Sequence, residues 1–320
     1  MFSRGDAEAL RAQLGPIDFR VPTPESALVS AYRTHYGLQF AETSADPGHH
    51  IGTFTSGDYK LVCQYFALPG ESTRGCALLL HGYFDHTGLF GHLIRHCLSL
   101  GYSVVIFDLP GHGLSSGSPA SIDSFQDYVA ALSRCIALAR DEVPGPLELI
   151  GQSTGGAVML DSLLQQTPEL TAVDHFILLC PLLYPVKWTT SRLLYYLMRV
   201  FTDASPRRFA ANSHDQKFLA FLKNEDALQA RQIPGLWVAA MIDYQRRFIK
   251  AAPTDKPLHI IQGTDDGTVD WQRNLAQIGK KFSGVTTHLV TDAKHHLVNE
   301  SESYRGQVFS KITEILSQEG

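Results

Sequence analysis

The stretch PLELIGQSTGGAVMLDSLLQQ, residues 146–166, decides how this chain folds. LELIG is a short apolar run, typical of a strand buried on both faces, and TGGAVMLDSLLQQ predicts a helix. Between them, GQSTG at 151–155 fits G-x-S-x-G, the pattern of a nucleophile elbow. Gly151 and Gly155 would leave room for the tight turn and its neighbouring strands. Ser153 would stand at a helix N-terminus, where free N–H groups favour developing negative charge.

A second match to the same pattern, GLSSG at 113–117, has a different context. It follows a predicted strand at a greater distance, through DLPGHG, and SGSPAS after it predicts a loop instead of a helix. The strand–turn–helix context that an elbow needs is therefore present only at Ser153. We interpret Ser115 as a turn serine in a Gly-rich connection.

The elements on both sides of this stretch repeat its rhythm. Short apolar runs such as CALLLHG, YSVVIFDLP and VDHFILLCP alternate with segments of helical spacing, and PLHIIQGTDD resumes the alternation later in the chain. Strands that alternate with helices of this length predict an α/β fold with a mostly parallel sheet covered on both faces. We assign this core to 51–180 and 256–320, with a lead-in over 1–50.

Three further expectations concern the remaining segments. Residues 22–37 predict a helix with Pro24 in its first turn and Gly37 at its end, and 49–70 predict a hairpin. Residues 121–143 predict a long helix capped by Ser121 or Asp123. Residues 181–255 have helical spacing without strand rhythm, which predicts a helical insertion above the sheet.

A serine becomes a good nucleophile when a histidine, held by a carboxylate, takes its proton. In one known chain order for such groups, the carboxylate and then the histidine follow the serine. Asp265 and Asp266 end one predicted strand, and His295 and His296 follow the next. Spacing alone does not show which of the two aspartates, or which of the two histidines, would take part. The Thr154 N–H and an N–H of the HGYFDHTG loop are expected to form an oxyanion hole.

The composition and charge of the chain argue against several classes of protein. The chain has 320 residues, 44% of them hydrophobic, and a net charge of −5, which gives no sign of a nucleic-acid surface. It begins without an apolar signal region and carries no apolar run of membrane-spanning length. Its five cysteines lie mostly in apolar runs, so we expect core residues in a reducing, cytoplasmic compartment. The 14 histidines show no metal-site spacing, and we expect no metal or cofactor.

Five segments carry a family resemblance over about 75–300: LLLHGYFDHTGLF, IFDLPGHGLSSG, IGQSTGG, QGTDDGTVD and DAKHHLVNE. They resemble the α/β-hydrolase superfamily, in particular its monoacylglycerol lipase and lysophospholipase branch, also called serine aminopeptidase-like. The resemblance implies an α/β-hydrolase fold with a helical cap over 181–255. It selects Asp266 and His295, and it makes the Tyr83 N–H the second oxyanion donor. Tyr83 and Phe84 stand where the family has small residues, and Asp85 stands where it has Glu.

The resemblance implies a Ser-His-Asp ester hydrolase that works through an acyl-enzyme. A lipid ester, a lysophospholipid or monoacylglycerol, is the expected substrate, because LLYYLMRVF at 193–201 could offer an apolar face to an acyl chain. The cap's basic residues could meet an anionic headgroup or a membrane surface: Lys187, Arg192, Arg199, Arg207 and Arg208. Two alternatives stay open, together with the oligomeric state. One is a proline iminopeptidase-like enzyme, and the other is a non-catalytic ligand receptor. The peptidase would hold a free amine with a cap acid, for which the candidates are Asp203, Asp215, Glu225 and Asp226.

Overall fold

The computed structural model describes residues 2–40, 47–69 and 73–318. Its strands are β1 (Gly48–Ser56), β2 (Tyr59–Ala67), β3 (Gly75–Leu80), β4 (Tyr102–Phe107), β5 (Leu147–Gln152), β6 (Val173–Leu179), β7 (Ala204–Pro206), β8 (Gln232–Pro234), β9 (Leu258–Gly263) and β10 (Val285–Val290). Its α-helices are α1 (Arg4–Gln13), α2 (Ala27–Tyr36), α3 (Gly91–Ser99), α4 (Phe125–Ala139), α5 (Thr154–Leu164), α6 (Trp188–Met198), α7 (Gln216–Asn224), α8 (Gly235–Lys250), α9 (Trp271–Gly279) and α10 (Glu302–Leu316).

An eight-stranded sheet forms the centre of the protein, in the order β1-β2-β4-β3-β5-β6-β9-β10. The predicted hairpin β1–β2 forms one edge, and β2 runs antiparallel to β4. From β4 to β10 every neighbouring pair is parallel. Parallel strands need crossover connections, which explains the strand–helix alternation of the sequence. The prediction of a mostly parallel α/β sheet is confirmed.

The apolar strand runs are explained by helices on both faces of the sheet. In β3, Cys76, Leu78 and Leu80 belong to one buried cluster, while Ala77 and Leu79 belong to the other. Side chains alternate between the faces of a strand, so a strand covered on both sides is apolar at every position. Residues of α4 and α5 fill the first cluster, and residues of α3 and α10 fill the second.

The segment 181–255, which we call the cap, leaves the sheet after β6 and returns at β9. It contributes α6, α7 and α8, as its helical spacing predicts. It also contains β7 and β8, which pair antiparallel over three residues each. The segment is therefore mainly helical, with one short strand pair that its sequence does not predict. Strands of three residues are too short to show the alternation by which a strand is recognised in a sequence.

Two predicted helix starts are also wrong. Helix α2 begins at Ala27 and not near Pro24, because Ser26 is its N-cap and accepts the Val29 N–H. Helix α4 begins at Phe125, because Ser124, and neither Ser121 nor Asp123, accepts the Gln126 N–H as N-cap. Several Ser and Asp residues in a row each offer a capping oxygen, so the sequence alone does not choose among them.

All five cysteines are buried and unpaired, which confirms that they are core residues. Within the described ranges, no helix combines the length and apolar character that crossing a bilayer requires. Helices α1 and α2 of the lead-in pack into the cluster that α3 and α10 also fill. The lead-in is thus attached to the core and contributes to its stability.

Candidate active site

Ser153 stands between β5 and α5, where the chain turns sharply. Its φ of 52° and ψ of −106° are strained for a residue with a side chain. The turn fits because two glycines remove side chains from it. A Cβ on Gly151 would lie 2.5 Å from Met159 Sδ, and one on Gly155 would lie 2.5 Å from the Leu80 carbonyl oxygen. The Ser153 side chain does not cap α5, so its hydroxyl is free for another partner.

That partner is His295, in the loop after β10. His295 Nε2 lies 2.9 Å from Ser153 Oγ, and His295 Nδ1 lies 2.7 Å from Asp266 Oδ2. A carboxylate accepts, so Nδ1 carries the proton and Nε2 is the atom that accepts from the serine. The three side chains come from the carboxyl ends of β5, β9 and β10, and all three are buried. The structure therefore brings together the three residues predicted for a triad.

Asp266 is fixed by more than its histidine. Its Oδ1 accepts the N–H groups of Thr268 at 2.8 Å and Val269 at 3.1 Å, and Oδ2 also accepts from Gln262 Nε2 at 3.1 Å. Burial raises the pKa of this carboxyl, but its interaction with His295 and these hydrogen bonds outweigh burial, so the pKa lies below its usual value. Asp266 is thus held as a carboxylate with a fixed orientation toward His295.

The other member of each pair, Asp265 or His296, takes no part in the hydrogen bonds of the triad. Asp265 is exposed. His296 is buried, and its Nε2 lies 3.1 Å from Asp85 Oδ1 instead of reaching Ser153. Ser115 is also buried: its Oγ donates to the Asp108 carbonyl oxygen at 2.5 Å and accepts the Val62 N–H at 2.9 Å. Ser115 therefore closes a loop against β2, in keeping with its interpretation as a turn serine.

The loop after β3 lies beside Ser153. A Cβ on Gly82 would lie 3.3 Å from Ser153 Cβ and 2.7 Å from Asp85 Oδ2. The Asp85 N–H donates to the Gly82 carbonyl oxygen at 3.1 Å, which closes the turn that carries the Tyr83 N–H. Thr154 is the first residue of α5, and the N–H groups of a first helical turn have no partner within the helix. Both predicted oxyanion donors thus belong to backbone adjoining Ser153.

The Tyr83 side chain points away from this turn. Its ring stacks on Trp237 of α8 with 3.8 Å between centroids, and its hydroxyl donates to the Ala120 carbonyl oxygen at 2.7 Å. Gln229 Nε2 donates to the Phe84 carbonyl oxygen at 2.9 Å. Tyr83 and Phe84 therefore attach this loop to the cap.

Sequence reasoning missed several residues of this site. Gln152 Nε2 donates to the His295 carbonyl oxygen at 2.9 Å. This bond holds the loop after β10, which we call the histidine loop, against the elbow. Gln229 and Trp237, both in the cap, contact Phe84 and Tyr83. They thereby support the loop after β3, which we call the oxyanion loop. Gln152 adjoins the nucleophile and could have been suspected on that ground. Gln229 and Trp237 lie far away in the sequence, and no motif points to them.

Ser153 and His295 lie in the wall of a cavity of about 840 Å³, most of which the cap encloses. Among its apolar lining residues are Leu182, Leu194, Met198, Leu219, Leu222, Trp237 and Val238. The described part of the lining also contains more cations than carboxylates. Its cations are Arg199, Arg207, Arg208 and Lys223, and its carboxylates are Asp85 and Asp203.

One group of three buried side chains has the types of atom that could bind a metal ion. Cys180, Asp266 and His295 each offer a ligand atom, and these atoms lie within 4.8 Å of one another. Asp266 and His295 already hydrogen bond to each other, and burial raises the pKa of the Cys180 thiol well above its usual value. The hydrogen bond between Asp266 and His295 occupies two of the atoms that would have to face an ion, so we assign these residues to the triad.

Comparison with known families adds to this geometry. A family model described as serine aminopeptidase, S33, matches residues 71–302. The protein belongs to the serine aminopeptidase S33 family. The match includes β3, the elbow, the cap and the histidine loop, so every residue placed in the site of this S33 protein lies inside it.

Relatives of this S33 protein include Phospholipase YtpA of Bacillus subtilis, 28% identical over 222 residues, which are 66% of this chain and 82% of that protein. Monoacylglycerol lipase of Mycolicibacterium smegmatis is 24% identical over 210 residues, which are 62% of this chain and 72% of that protein.

A solved structure of a soluble variant of monoglyceride lipase from Saccharomyces cerevisiae, in complex with a substrate analog, matches with a TM-score of 0.72 and 19% identity, over 85% of this chain and 95% of that one. The monoacylglycerol lipase structure of Paleococcus ferrophilus matches with a TM-score of 0.67 and 22% identity, over 80% and 98%. Likeness at this level of identity shows the fold, and the α/β-hydrolase fold is thereby confirmed.

Proposed function

We propose that this protein is a serine hydrolase that cleaves single-chain lipid esters through an acyl-enzyme on Ser153. The observation that carries the proposal is the hydrogen-bonded chain from Ser153 through His295 to Asp266 inside an apolar cavity. The chain is a carboxylic ester hydrolase by kinship, since its relatives are named as phospholipase, monoacylglycerol lipase and lysophospholipase. The mechanism and the substrate below are our inferences.

In the first step Ser153 Oγ attacks the ester carbonyl carbon while His295 Nε2 takes the hydroxyl proton. The carbonyl oxygen becomes an oxyanion, and the N–H groups of Tyr83 and Thr154 stabilise it by hydrogen bonds that strengthen as its charge develops. Asp266 keeps the Nδ1 proton in place and stabilises the imidazolium. His295 then protonates the leaving alcohol as the ester bond breaks.

In the second step water hydrolyses the acyl-enzyme. His295 removes a proton from the water, which attacks the acyl carbon, and the same N–H groups hold the second oxyanion. Ser153 recovers its proton from His295 when the fatty acid leaves. The residues named here supply nucleophile, base and oxyanion donors, so the scheme needs no cofactor.

The substrate proposal rests on the cavity. A volume of about 840 Å³ lies in the upper part of the usual range for small-molecule sites, and its apolar lining suits one acyl chain. Arg199, Arg207, Arg208 and Lys223 line the same cavity and favour an ester with an anionic headgroup. We therefore place a lysophospholipid first and a monoacylglycerol second.

A peptidase of the same family is the competing enzyme, since the family description names an aminopeptidase. It would need a cap carboxylate free to bind an amine. Asp226 is already bound by Tyr36, His86 and Gln229, and Asp215 caps α7. Of the four acids considered, Asp203 alone lines the cavity, among several cations that would repel an amine. This arrangement favours the ester substrate.

The cap also offers a surface suited to a lipid aggregate. Leu193, Leu197 and Phe201, on α6 and just after it, are 60%, 60% and 80% exposed. Leu194 and Met198 of the same helix line the cavity. We propose that this face lies on the membrane surface, so that a lipid passes from the aggregate into the cavity along one helix.

The test is hydrolysis of a matched panel: lysophosphatidylcholine, lysophosphatidic acid, a monoacylglycerol, p-nitrophenyl esters of increasing chain length, and prolyl and alanyl p-nitroanilides. We expect turnover of the single-chain lipids and loss of all turnover in Ser153→Ala. Release of p-nitroaniline at a rate above ester hydrolysis would favour the peptidase. Absence of turnover across the panel, with tight binding of one member, would favour the receptor.

A further inference from the structure

A second buried histidine–aspartate pair lies beside the Ser153 site, and the proposed mechanism does not use it. His296 Nε2 lies 3.1 Å from Asp85 Oδ1, and both side chains are buried, at 3% and 7% exposure of the residues. A buried histidine–carboxylate pair is weak evidence for stability, because removing two polar groups from water costs about as much as their attraction returns. Stability alone therefore does not explain the pair, and the two loops that it connects are the better explanation.

On one side the pair is attached to the oxyanion loop. Asp85 ends the turn that begins at Gly82, and this turn holds the Tyr83 N–H. Phe84, inside the turn, has a φ of 68°, in the left-handed region that a bulky aromatic residue avoids. Such a conformation persists only where surrounding contacts impose it. Asp85 follows Phe84 directly, and its hydrogen bond to His296 anchors this end of the turn.

On the other side the pair is attached to the histidine loop. His296 adjoins His295 in the chain, so a shift of one moves the other. The His296 N–H donates to the Asn212 carbonyl oxygen at 2.9 Å, and its ring packs on Phe218 of α7 with 4.8 Å between centroids. Its Nδ1 has no hydrogen-bond partner within the described part of the chain, so the contact with Asp85 is the polar contact of this ring.

The charges around the pair favour an ionised aspartate. Burial raises the pKa of Asp85, but His296, His81 and Arg207 lower it further, to about 2. A carboxylate only accepts, so His296 Nε2 donates the hydrogen bond. The bond is charge-assisted and directional, and it fixes the distance between the two loops more firmly than apolar packing would.

Resting on the proposed function of Ser153, we propose that Asp85 and His296 form a positioning pair that holds the oxyanion loop in register with His295. Both side chains line the cavity, but they hydrogen bond to each other and not to Ser153 or the His295 ring. Their hydrogen bond fixes where the Tyr83 N–H stands relative to the Ser153–His295 pair. A misplacement of about 1 Å can cost about 10²-fold in rate, and loss of one oxyanion donor costs about 10²- to 10³-fold.

The experiment replaces each partner and measures kcat, KM and the inhibition constant of an alkyl boronic acid, which forms a tetrahedral adduct with a serine. All rates are divided by the number of sites that a fluorophosphonate labels to completion. For His296→Leu we expect kcat to fall about 10- to 100-fold, the inhibition constant to rise by a similar factor, and KM to change by a smaller factor than kcat. In His296→Gln the amide nitrogen can reach the position of Nε2, so we expect kcat within about threefold of the wild type.

Asp85→Ala carries the same prediction as His296→Leu, and the double variant should lose no more than the worse single variant, because both remove one bond. The matched control is His175→Leu. It breaks another histidine–carboxylate pair, with Glu148 at 2.9 Å, outside the cavity lining. This control should lower the melting temperature and leave kcat per labelled site unchanged.

Unchanged kcat in folded His296→Leu and Asp85→Ala, or kcat losses that simply multiply in the double variant, would overturn the proposal while leaving Ser153 as nucleophile. If both single variants fail to fold, the pair is a structural requirement and the proposal is equally overturned. Failure of the proposed function itself looks different: either the wild type turns over no member of the substrate panel, or Ser153→Ala keeps the wild-type activity.

Discussion

Replacing Asp266 with asparagine is expected to reverse the tautomer of His295, because two backbone N–H groups fix the orientation of the side chain at position 266. The Thr268 and Val269 N–H groups hold one side-chain oxygen of residue 266 at 2.8 and 3.1 Å. An asparagine must place its carbonyl oxygen there, because N–H donors cannot pair with an amide NH₂. The NH₂ then occupies the position of Oδ2 and faces His295 Nδ1, which is 2.7 Å from Oδ2 in the native protein.

An NH₂ at that position obliges Nδ1 to accept, so the proton moves to Nε2, the atom that faces Ser153. A histidine protonated at Nε2 cannot take the serine proton. For a triad aspartate this wrong tautomer costs about 10⁴-fold in kcat, or about 5 kcal/mol of activation free energy. KM should change little, because Asp266 is absent from the residues that line the cavity.

The assay is steady-state hydrolysis of a p-nitrophenyl ester near neutral pH, with circular dichroism to show that the variant is folded. Asp265→Asn is the matched control, since that side chain is exposed one residue away, and it should hydrolyse the ester at the wild-type rate. A kcat of Asp266→Asn within tenfold of the wild type would refute the tautomer argument. An equal loss in both variants would show that the loop as a whole, and not the carboxylate, is required.

Three further outcomes follow from the same contacts. Ser115→Ala should lower the free energy of unfolding in urea by about 1–3 kcal/mol, because the Val62 N–H and the Asp108 carbonyl lose a buried partner, and it should keep the wild-type kcat; a loss of kcat would contradict its structural role. Replacing Leu193, Leu197 and Phe201 together by serine should reduce sedimentation with lipid vesicles at least tenfold while hydrolysis of a short soluble ester is unchanged, and unreduced sedimentation would contradict the membrane face. Asp85 has a pKa of about 2 in the folded protein against 3.8 for its ordinary value, so its ionised form stabilises the fold above about pH 4 and this contribution is lost as pH falls through about 2. The stability advantage of the wild type over Asp85→Asn, read from urea midpoints, should therefore be about 2 kcal/mol at pH 6 and shrink toward pH 2, and an advantage that does not change with pH would contradict it.

The central sheet and the elbow could be predicted because their signals are local. Strands buried on both faces are apolar throughout, and the glycines of GQSTG stand where a Cβ would meet Met159 or Leu80. The choice of Asp266 over Asp265, and of His295 over His296, needed the family motif. Spacing could not supply it, because either member of a pair at the end of a strand can turn toward the site.

Other features could not be predicted because they depend on contacts between distant segments. Gln229 and Trp237 reach the oxyanion loop from the cap, and nothing near them in the sequence marks that role. Asp85 looked like a departure from the family motif, and His296 like a discarded candidate. Only the folded chain places them 3.1 Å apart. The strands β7 and β8 are likewise fixed by pairing across the cap and not by their own three residues.

The central claim is that Ser153 carries the acyl group. The most direct measurement is to quench the enzyme with acid during turnover of a slowly deacylating long-chain p-nitrophenyl ester and to map the acylated peptide by mass spectrometry. The account predicts one acyl group per chain, on the peptide that contains Ser153, and none in Ser153→Ala. An acyl group on Ser115 or any other residue, or continued acylation of Ser153→Ala, would contradict it.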